Sequence, residues 1–277
     1  MRETIAAGVE LWNDSCSLAE LQDAVQHGFV GATSNPVIVA AAVSADKARL
    51  LPVLDALIHD NPSLSEDEIA WLLIGHVVKE GAAVLAPEHE KSSGRRGLLC
   101  AQVSPKLWRD TAKMVEHGVA LAALAPNIAI KAPTTSAGIA AMEELAARGI
   151  SVNATVSFTV SQAVLVAEAL ARGDQRAQQK KAHHVVTLMV GRVDDHIKRV
   201  VDKDKILIDP GVVAWAGIAV FKEAVRVFRA KKLEARLLAA AYRHHLHWTE
   251  LIGEGVVQTI PYPWWRQFES SGIVVRK

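Results

Sequence analysis

A lysine at the end of an apolar strand is the residue in this sequence best suited to covalent chemistry. In Asn127-Ile128-Ala129-Ile130-Lys131-Ala132-Pro133, two β-forming isoleucines flank a small alanine, the lysine follows, and the proline ends the ladder because it has no N–H to give. An ammonium placed there must leave water, and desolvation favours the neutral amine, a nucleophile toward carbonyls. The competing reading is a lysine whose stem follows the strand end and whose head reaches solvent. An amine and a ketone condense to an iminium, an electron sink that lets a C–C bond beta to it break. The break requires a base for the departing hydroxyl proton. Asp14 is the only acidic residue among the predicted strand ends, although it also fits a turn or cap before Ser15. Asn35 and Asn153 suit a hydroxylated substrate because an amide both donates and accepts, and Asn35 before Pro36 is also an ordinary turn signal. Arg192 and Arg243 can clamp an anion by bidentate bonds, while each alone reads as a surface arginine.

These residues are scattered, and the elements around them say how they would meet. Strands are predicted at 9–13, 29–33 and 98–103, in the lysine segment, and at 150–156, 185–190, 235–240 and 256–260. Helices are predicted at 18–27, across 37–87, from 105 to about 124, after Thr134-Thr135-Ser136, and at 159–172 and 218–230. Ser63 and Glu66 have capping-box spacing, and 88–97 reads as an exposed loop. Eight apolar strands alternating with helices predict an α/β fold, a (β/α)8 TIM barrel with extra helices after strand 2 and at the C-terminus. The expected organisation is a single barrel domain over 1–277, with 261–277 packing on or near the barrel. Active sites of such barrels lie at the C-terminal ends of the strands, where Asp14, Asn35, Gln102, Lys131, Asn153, Thr155, Thr187, Arg192 and Arg243 are predicted to gather.

Composition narrows the function classes. The 277 residues are 50% hydrophobic and 22% charged, with a net charge of +1, which gives no bulk attraction to nucleic acid or to a membrane surface. Cys16 and Cys100 match no metal spacing and read as reduced thiols of a cytoplasmic protein. No basic-then-apolar leader opens the chain, and no uninterrupted apolar run reaches the ~18 residues of a membrane span. There is no Gly-x-Gly-x-x-Gly after the first strand and no P-loop, and no cofactor is expected. His244, His245 and His247 lack the carboxylate or cysteine company of a catalytic metal site and read as helix residues, so no metal is expected. The aromatic tail 261–268 fits either a segment docked on the barrel or a subunit contact, which leaves a homo-oligomer open.

Thr33-Ser34-Asn35-Pro36, the segment from Ala125 through Thr134 around Lys131, Gly149 through Thr155, Val190-Gly191-Arg192, and Ala239 through Arg243 together resemble the transaldolase family in order and spacing. The resemblance implies a Schiff base on Lys131 and transfer of a dihydroxyacetone unit between sugar phosphates. It implies Asp14 as acid/base, Asn35 and Asn153 on the dihydroxyacetone unit with Thr187 nearby, Thr155 on the catalytic water, and Arg192 and Arg243 on the phosphate. Three positions depart from that pattern. Gln102 stands where the family's third strand usually ends in a proton-relaying glutamate, and a glutamine cannot hold that proton. Glutamine there resembles the fructose-6-phosphate aldolases, yet their tyrosine position here carries Met189. Ala241 replaces a common phosphate-binding serine. Two other functions follow from these departures: an aldolase without an acceptor sugar, and an inactive barrel that binds sugar phosphates.

Overall fold

The structure, a computed structural model, describes residues 1–178 and 182–275. Eight strands close into a barrel in sequence order: β1 (Glu10–Asn13), β2 (Gly31–Thr33), β3 (Leu98–Gln102), β4 (Ile128–Pro133), β5 (Val152–Ser157), β6 (Val185–Leu188), β7 (Arg236–Ala239) and β8 (Val257–Ile260). Every neighbouring pair is parallel, including β1 with β8. Parallel strands need crossovers, and helices supply them on the outside. The fold is the (β/α)8 barrel that the strand and helix alternation predicts.

Strand alternation sends every second residue inward. Trp12, Leu98, Cys100, Ala129, Val185, Leu238 and Val257 form one buried cluster that fills the barrel interior. Gly31 makes room for the indole, since a Cβ there would lie 2.6 Å from Trp12. One step toward the N-terminal end, Glu10 and Arg236 close the bottom of the barrel as a buried ion pair, with Arg95 and Arg96 at 3.5 and 3.7 Å from the same carboxylate. The outward residues of the strands pack against the helices in the largest core cluster, which includes Val78, Leu99, Ile130, Leu145, Val166 and Phe221.

The helix Tyr262–Ser270 packs with the N-terminal segment in a separate aromatic cluster. Trp265 is buried and its Nε1 donates to Asn13 Oδ1 at 3.1 Å; Trp248 stacks on Phe268 with centroids 4.8 Å apart. Residues 276 and 277 of the tail lie outside the described residues. The helix Glu66–Lys91 has the length and apolarity of a membrane span, but its Leu73, Val77, Val78, Ala82 and Leu85 are buried inside the protein, as in a core helix packed on a barrel.

Local structure differs from the sequence expectation at several places. The capping box is Ser65 with Glu68, not Ser63 with Glu66; both pairs have the spacing, and the turn closed by Leu64 N on Asn61 O delays the helix start by two residues. The same helix runs through Pro87 to Lys91, so only the remainder of 88–97 is loop; buried Leu85 anchors the last turns and outweighs the one backbone bond that Pro87 cannot make. The segment from 105 to 124 is a short 3-10 turn, Pro105–Leu107, and then a helix, Thr111–Ala122, capped by Asp110. A helix over Val190–Asp204 was absent from the sequence reading; charged residues occupy most of its surface, and only its first turns are deeply buried.

Candidate active site

Strand pairing brings the chemistry together first. Lys131 on β4 is in register with Gln102 on β3 and with Asn153 on β5. Lys131 is 8% exposed, and its Nζ lies 3.2 Å from the backbone oxygen of Ser34, just beyond β2. Pro133 belongs to β4 as its last residue, and Thr135 caps the next helix by accepting from Gly138 N at 2.9 Å. Above this row is a cavity of about 470 Å³ at the C-terminal ends of the strands; Asp14, Lys131, Thr155, Thr187, Arg192 and Arg243 line it, and Asn35 and Met189 join them.

Asp14 follows β1 directly. Burial pushes its carboxyl pKa up; the Lys131 charge and a hydrogen bond from Thr33 pull the other way without cancelling the rise. Thr33 Oγ1 donates to Asp14 Oδ1 at 2.6 Å and lies 2.6 Å from Thr259 Oγ1. One hydroxyl has one proton, so with Asp14 ionised the order is fixed: Thr259 donates to Thr33, and Thr33 to the carboxylate. A carboxyl shifted upward and set beside an amine holds a proton more readily than an ordinary carboxyl, which suits a group that must take and return one.

The amides play different parts. Asn35 caps the helix Pro36–Ala45, its Oδ1 accepting from Val37 N at 2.9 Å and Ile38 N at 3.0 Å, so the turn role and a place at the cavity coincide. Asn153 is fully buried beneath the cavity floor: its Oδ1 accepts from Thr187 Oγ1 at 2.7 Å and its Nδ2 donates to Cys100 Sγ at 3.2 Å. Gln102 and Asn153 are not among the residues that line the cavity, although both flank Lys131 on the sheet. Beside Thr155, the β5–β6 register shifts between Ala154 and Ser157, and Val156 takes φ 60°, an uncommon backbone for a β-branched residue.

The anion end is built by two elements that approach closely. Arg192 stands exposed in the first turn of the helix Val190–Asp204. Arg243 follows the left-handed residue Ala241, φ 65°. Gly191 permits the contact, because a Cβ there would fall 1.9 Å from the Ala241 oxygen. Asp195 ties the two arginines together: Arg243 Nε and Nη2 donate to its oxygens at 3.1 and 2.7 Å, and Arg192 Nη1 lies 3.6 Å away.

Behind Arg243, Asp194, His244 and His247 bring their ligating atoms within 4.8 Å of one another. The carboxylate that the histidine spacing lacked thus arrives from a distant helix, which corrects that part of the sequence reading; His247 is in the helix Leu246–Thr249, whereas His244 precedes it. The hydrogen bonds give this cluster a structural purpose. His247 Nδ1 accepts from Arg243 N at 3.1 Å, so the proton of the neutral ring is on Nε2, which donates to Asp194 Oδ2 at 2.7 Å and has no lone pair to give a cation. Asp194 Oδ1 accepts from Gly217 N at 2.7 Å. Burial opposes the Asp194 charge, yet the bonds from His247 and Gly217 hold its carboxyl below the ordinary value. The cluster fixes the backbone of Arg243.

Thr33 was visible in the sequence only as part of a motif, and Thr259, Asp194 and Asp195 were not singled out at all. Their roles arise from pairings across the fold, such as the 226 residues between Thr33 and Thr259.

A model of the transaldolase/fructose-6-phosphate aldolase family matches residues 11–276. The chain belongs to this family. Among its relatives, a transaldolase of Mycolicibacterium smegmatis is 31% identical over an alignment that covers 92% of this chain and 77% of that protein. A transaldolase of Thermobifida fusca is 30% identical over 92% and 77% of the two chains, and one of Mycobacterium tuberculosis is 30% identical over the same shares. Family membership accords with the barrel.

Proposed function

We propose that the chain is a transaldolase-type transferase in which Lys131 forms the Schiff base and Asp14 moves the proton. The observation that carries this is the pairing, on one cavity, of a buried lysine with a carboxyl whose pKa burial raises. Lys131 Nζ attacks the ketose carbonyl to give a carbinolamine, which loses water to form the iminium. Asp14 then takes the proton of the hydroxyl on the β carbon; the bond between the α and β carbons breaks, an aldehyde leaves, and the electron pair remains as an enamine. With an acceptor aldehyde the sequence reverses: the enamine carbon forms the new C–C bond and Asp14 returns its proton to the new alkoxide. Water then hydrolyses the iminium and frees Lys131.

The dihydroxyacetone unit sits over the row of Gln102, Lys131 and Asn153, with Asn35 Nδ2 and the Thr187 hydroxyl at its side. Asn153 acts by holding Thr187. Thr155, at the bulge in β5, orients the water of imine formation and release. Arg192 and Arg243 take the phosphate of a sugar phosphate. A cytoplasmic setting fits the two buried thiols, whose pKa values burial pushes up to about 12 for Cys16 and about 11 for Cys100, far from the reactive range.

One observation favours a second reading, an aldolase that releases a free ketone. Gln102 can position a water but cannot store its proton, which weakens the relay on which acceptor-linked turnover depends. Product analysis with a ketose phosphate donor separates the two. Transferase action gives a new ketose only when an acceptor aldehyde is present; accumulation of free dihydroxyacetone at the same rate with and without acceptor would establish the aldolase.

A further inference from the structure

The anion subsite carries its own competing anion. Arg243 is almost fully engaged by the protein: Nε and Nη2 bond Asp195 at 3.1 and 2.7 Å, and Nη1 bonds the backbone oxygens of Ala241 and Tyr242 at 3.1 and 3.0 Å. A guanidinium has five N–H groups, so these bonds leave a single Nη2 N–H for a ligand. The fork that matches a carboxylate also matches a phosphate, and it cannot serve both at once. Arg192 is 58% exposed and meets Asp195 only as a charge contact at 3.6 Å. Ala241, at the turn, contributes no hydroxyl. The carboxylate of Asp195 is held ionised by these arginines, its pKa lowered chiefly by the hydrogen bonds from Arg243.

Resting on the transferase reading above, we propose that Asp195 is the specificity-determining residue of this subsite: it occupies the Arg243 fork when no ligand is bound and thereby weakens the preference for phosphorylated over uncharged sugars. A phosphate arriving here has two ways to bind. It displaces Asp195 from the fork and leaves that carboxylate beside a dianion, or it takes Arg192 and the one remaining Nη2 N–H. Either way it gains less than it would from two unengaged arginines. A substrate ending in a hydroxyl needs only the single N–H and meets no repulsion. The substrate class therefore includes unphosphorylated ketoses and aldehydes alongside their phosphates.

Asp195→Asn tests this, with Asp195→Ser as a second variant that removes the carboxylate without leaving an amide to re-engage the fork. Inorganic phosphate is used as a competitive inhibitor, and kcat/KM is compared for a ketose phosphate and its unphosphorylated form. Release of one charge-assisted bidentate contact predicts a phosphate inhibition constant lower by about tenfold, which is about 1.4 kcal/mol. The kcat/KM ratio of phosphorylated to unphosphorylated donor rises by a similar factor. A weaker or unchanged phosphate inhibition in a folded variant overturns the proposal and makes Asp195 a strut that orients Arg243. Borohydride trapping of free dihydroxyacetone by the wild-type enzyme keeps the two claims apart: absence of trapping sinks the transferase reading, whereas trapping combined with unchanged phosphate inhibition in the variants sinks only the role of Asp195.

Discussion

Thr33→Val removes the proton that Thr33 gives to Asp14 while keeping the β-branched shape that suits β2. The lost bond, at 2.6 Å, is made to a carboxylate. Hydrogen bonds to charged groups contribute roughly 1.5–3 kcal/mol. They favour the ionised form, and a pKa unit corresponds to about 1.4 kcal/mol, so the Asp14 pKa should rise by a further ~1–2 units. The sign is set by the chemistry: Asp14 accepts a proton in the cleavage step, so a higher pKa means that activity is lost earlier as pH falls. The acidic limb of kcat/KM against pH for ketose cleavage should therefore move upward by about 1–2 units. Thr33→Ser keeps the hydroxyl and should leave the limb in place. Thr259 also loses its acceptor in the valine variant, and an unpaired buried hydroxyl costs about 1–3 kcal/mol of stability. An acidic limb that stays fixed or moves downward in Thr33→Val would refute both the relay and the assignment of Asp14 as the base.

Asp14→Asn should still trap a ketose with borohydride but lose cleavage by roughly 10²–10⁴-fold, the usual worth of general acid–base help; loss of trapping as well would make Asp14 a binding or structural residue. The same variant has a stability signature. Burial raises the Asp14 pKa above its unfolded value, so the native state binds more protons and its stability falls as pH rises through that window. Asp14→Asn should thus melt at a higher temperature than wild type at neutral pH, with the difference shrinking as pH falls toward the ordinary carboxylate range. At the other end of the barrel, Glu10→Ala leaves the largely buried Arg236 without its carboxylate partner and should cost about 3–5 kcal/mol in urea unfolding, as breaking buried pairs does; a cost under about 1 kcal/mol would mean that the pair behaves like a solvent-screened surface pair and adds nothing.

The barrel was legible because its strands announce themselves. Ile128-Ala129-Ile130 and Val185-Val186 are short buried runs of β-formers, bounded by turn residues and separated by helical spacing, and parallel pairing admits few arrangements of eight such units. Lys131 and Asp14 were legible as charges at the ends of apolar strands, where a fold would not otherwise put them. The helix Val190–Asp204 was not, because charged residues mask its short apolar stripe of Val193, Ile197 and Val201. The proton chain through Thr259 and the Asp195 clamp were out of reach for another reason. Each depends on which strand or helix end lies beside which, and a hydroxyl or carboxylate on its own surface pattern looks like any other polar residue. Gln258 shows the same limit: its polarity hides a buried side chain whose Nε2 donates to Trp248 O at 3.1 Å and Leu251 O at 3.0 Å.

Lys131 as the nucleophile is the claim on which the mechanism depends, and reductive trapping tests it most directly. Wild-type enzyme is incubated with a ketose phosphate, or with dihydroxyacetone, and reduced with borohydride; intact-mass and peptide mapping locate the adduct. Lys131→Met is carried in parallel, because methionine fills similar volume without an amine. One adduct per chain is expected, on the peptide containing Lys131, and none in the variant at equal folded content. A single-site adduct that persists in Lys131→Met, or one mapped to another lysine in the wild type, contradicts the claim.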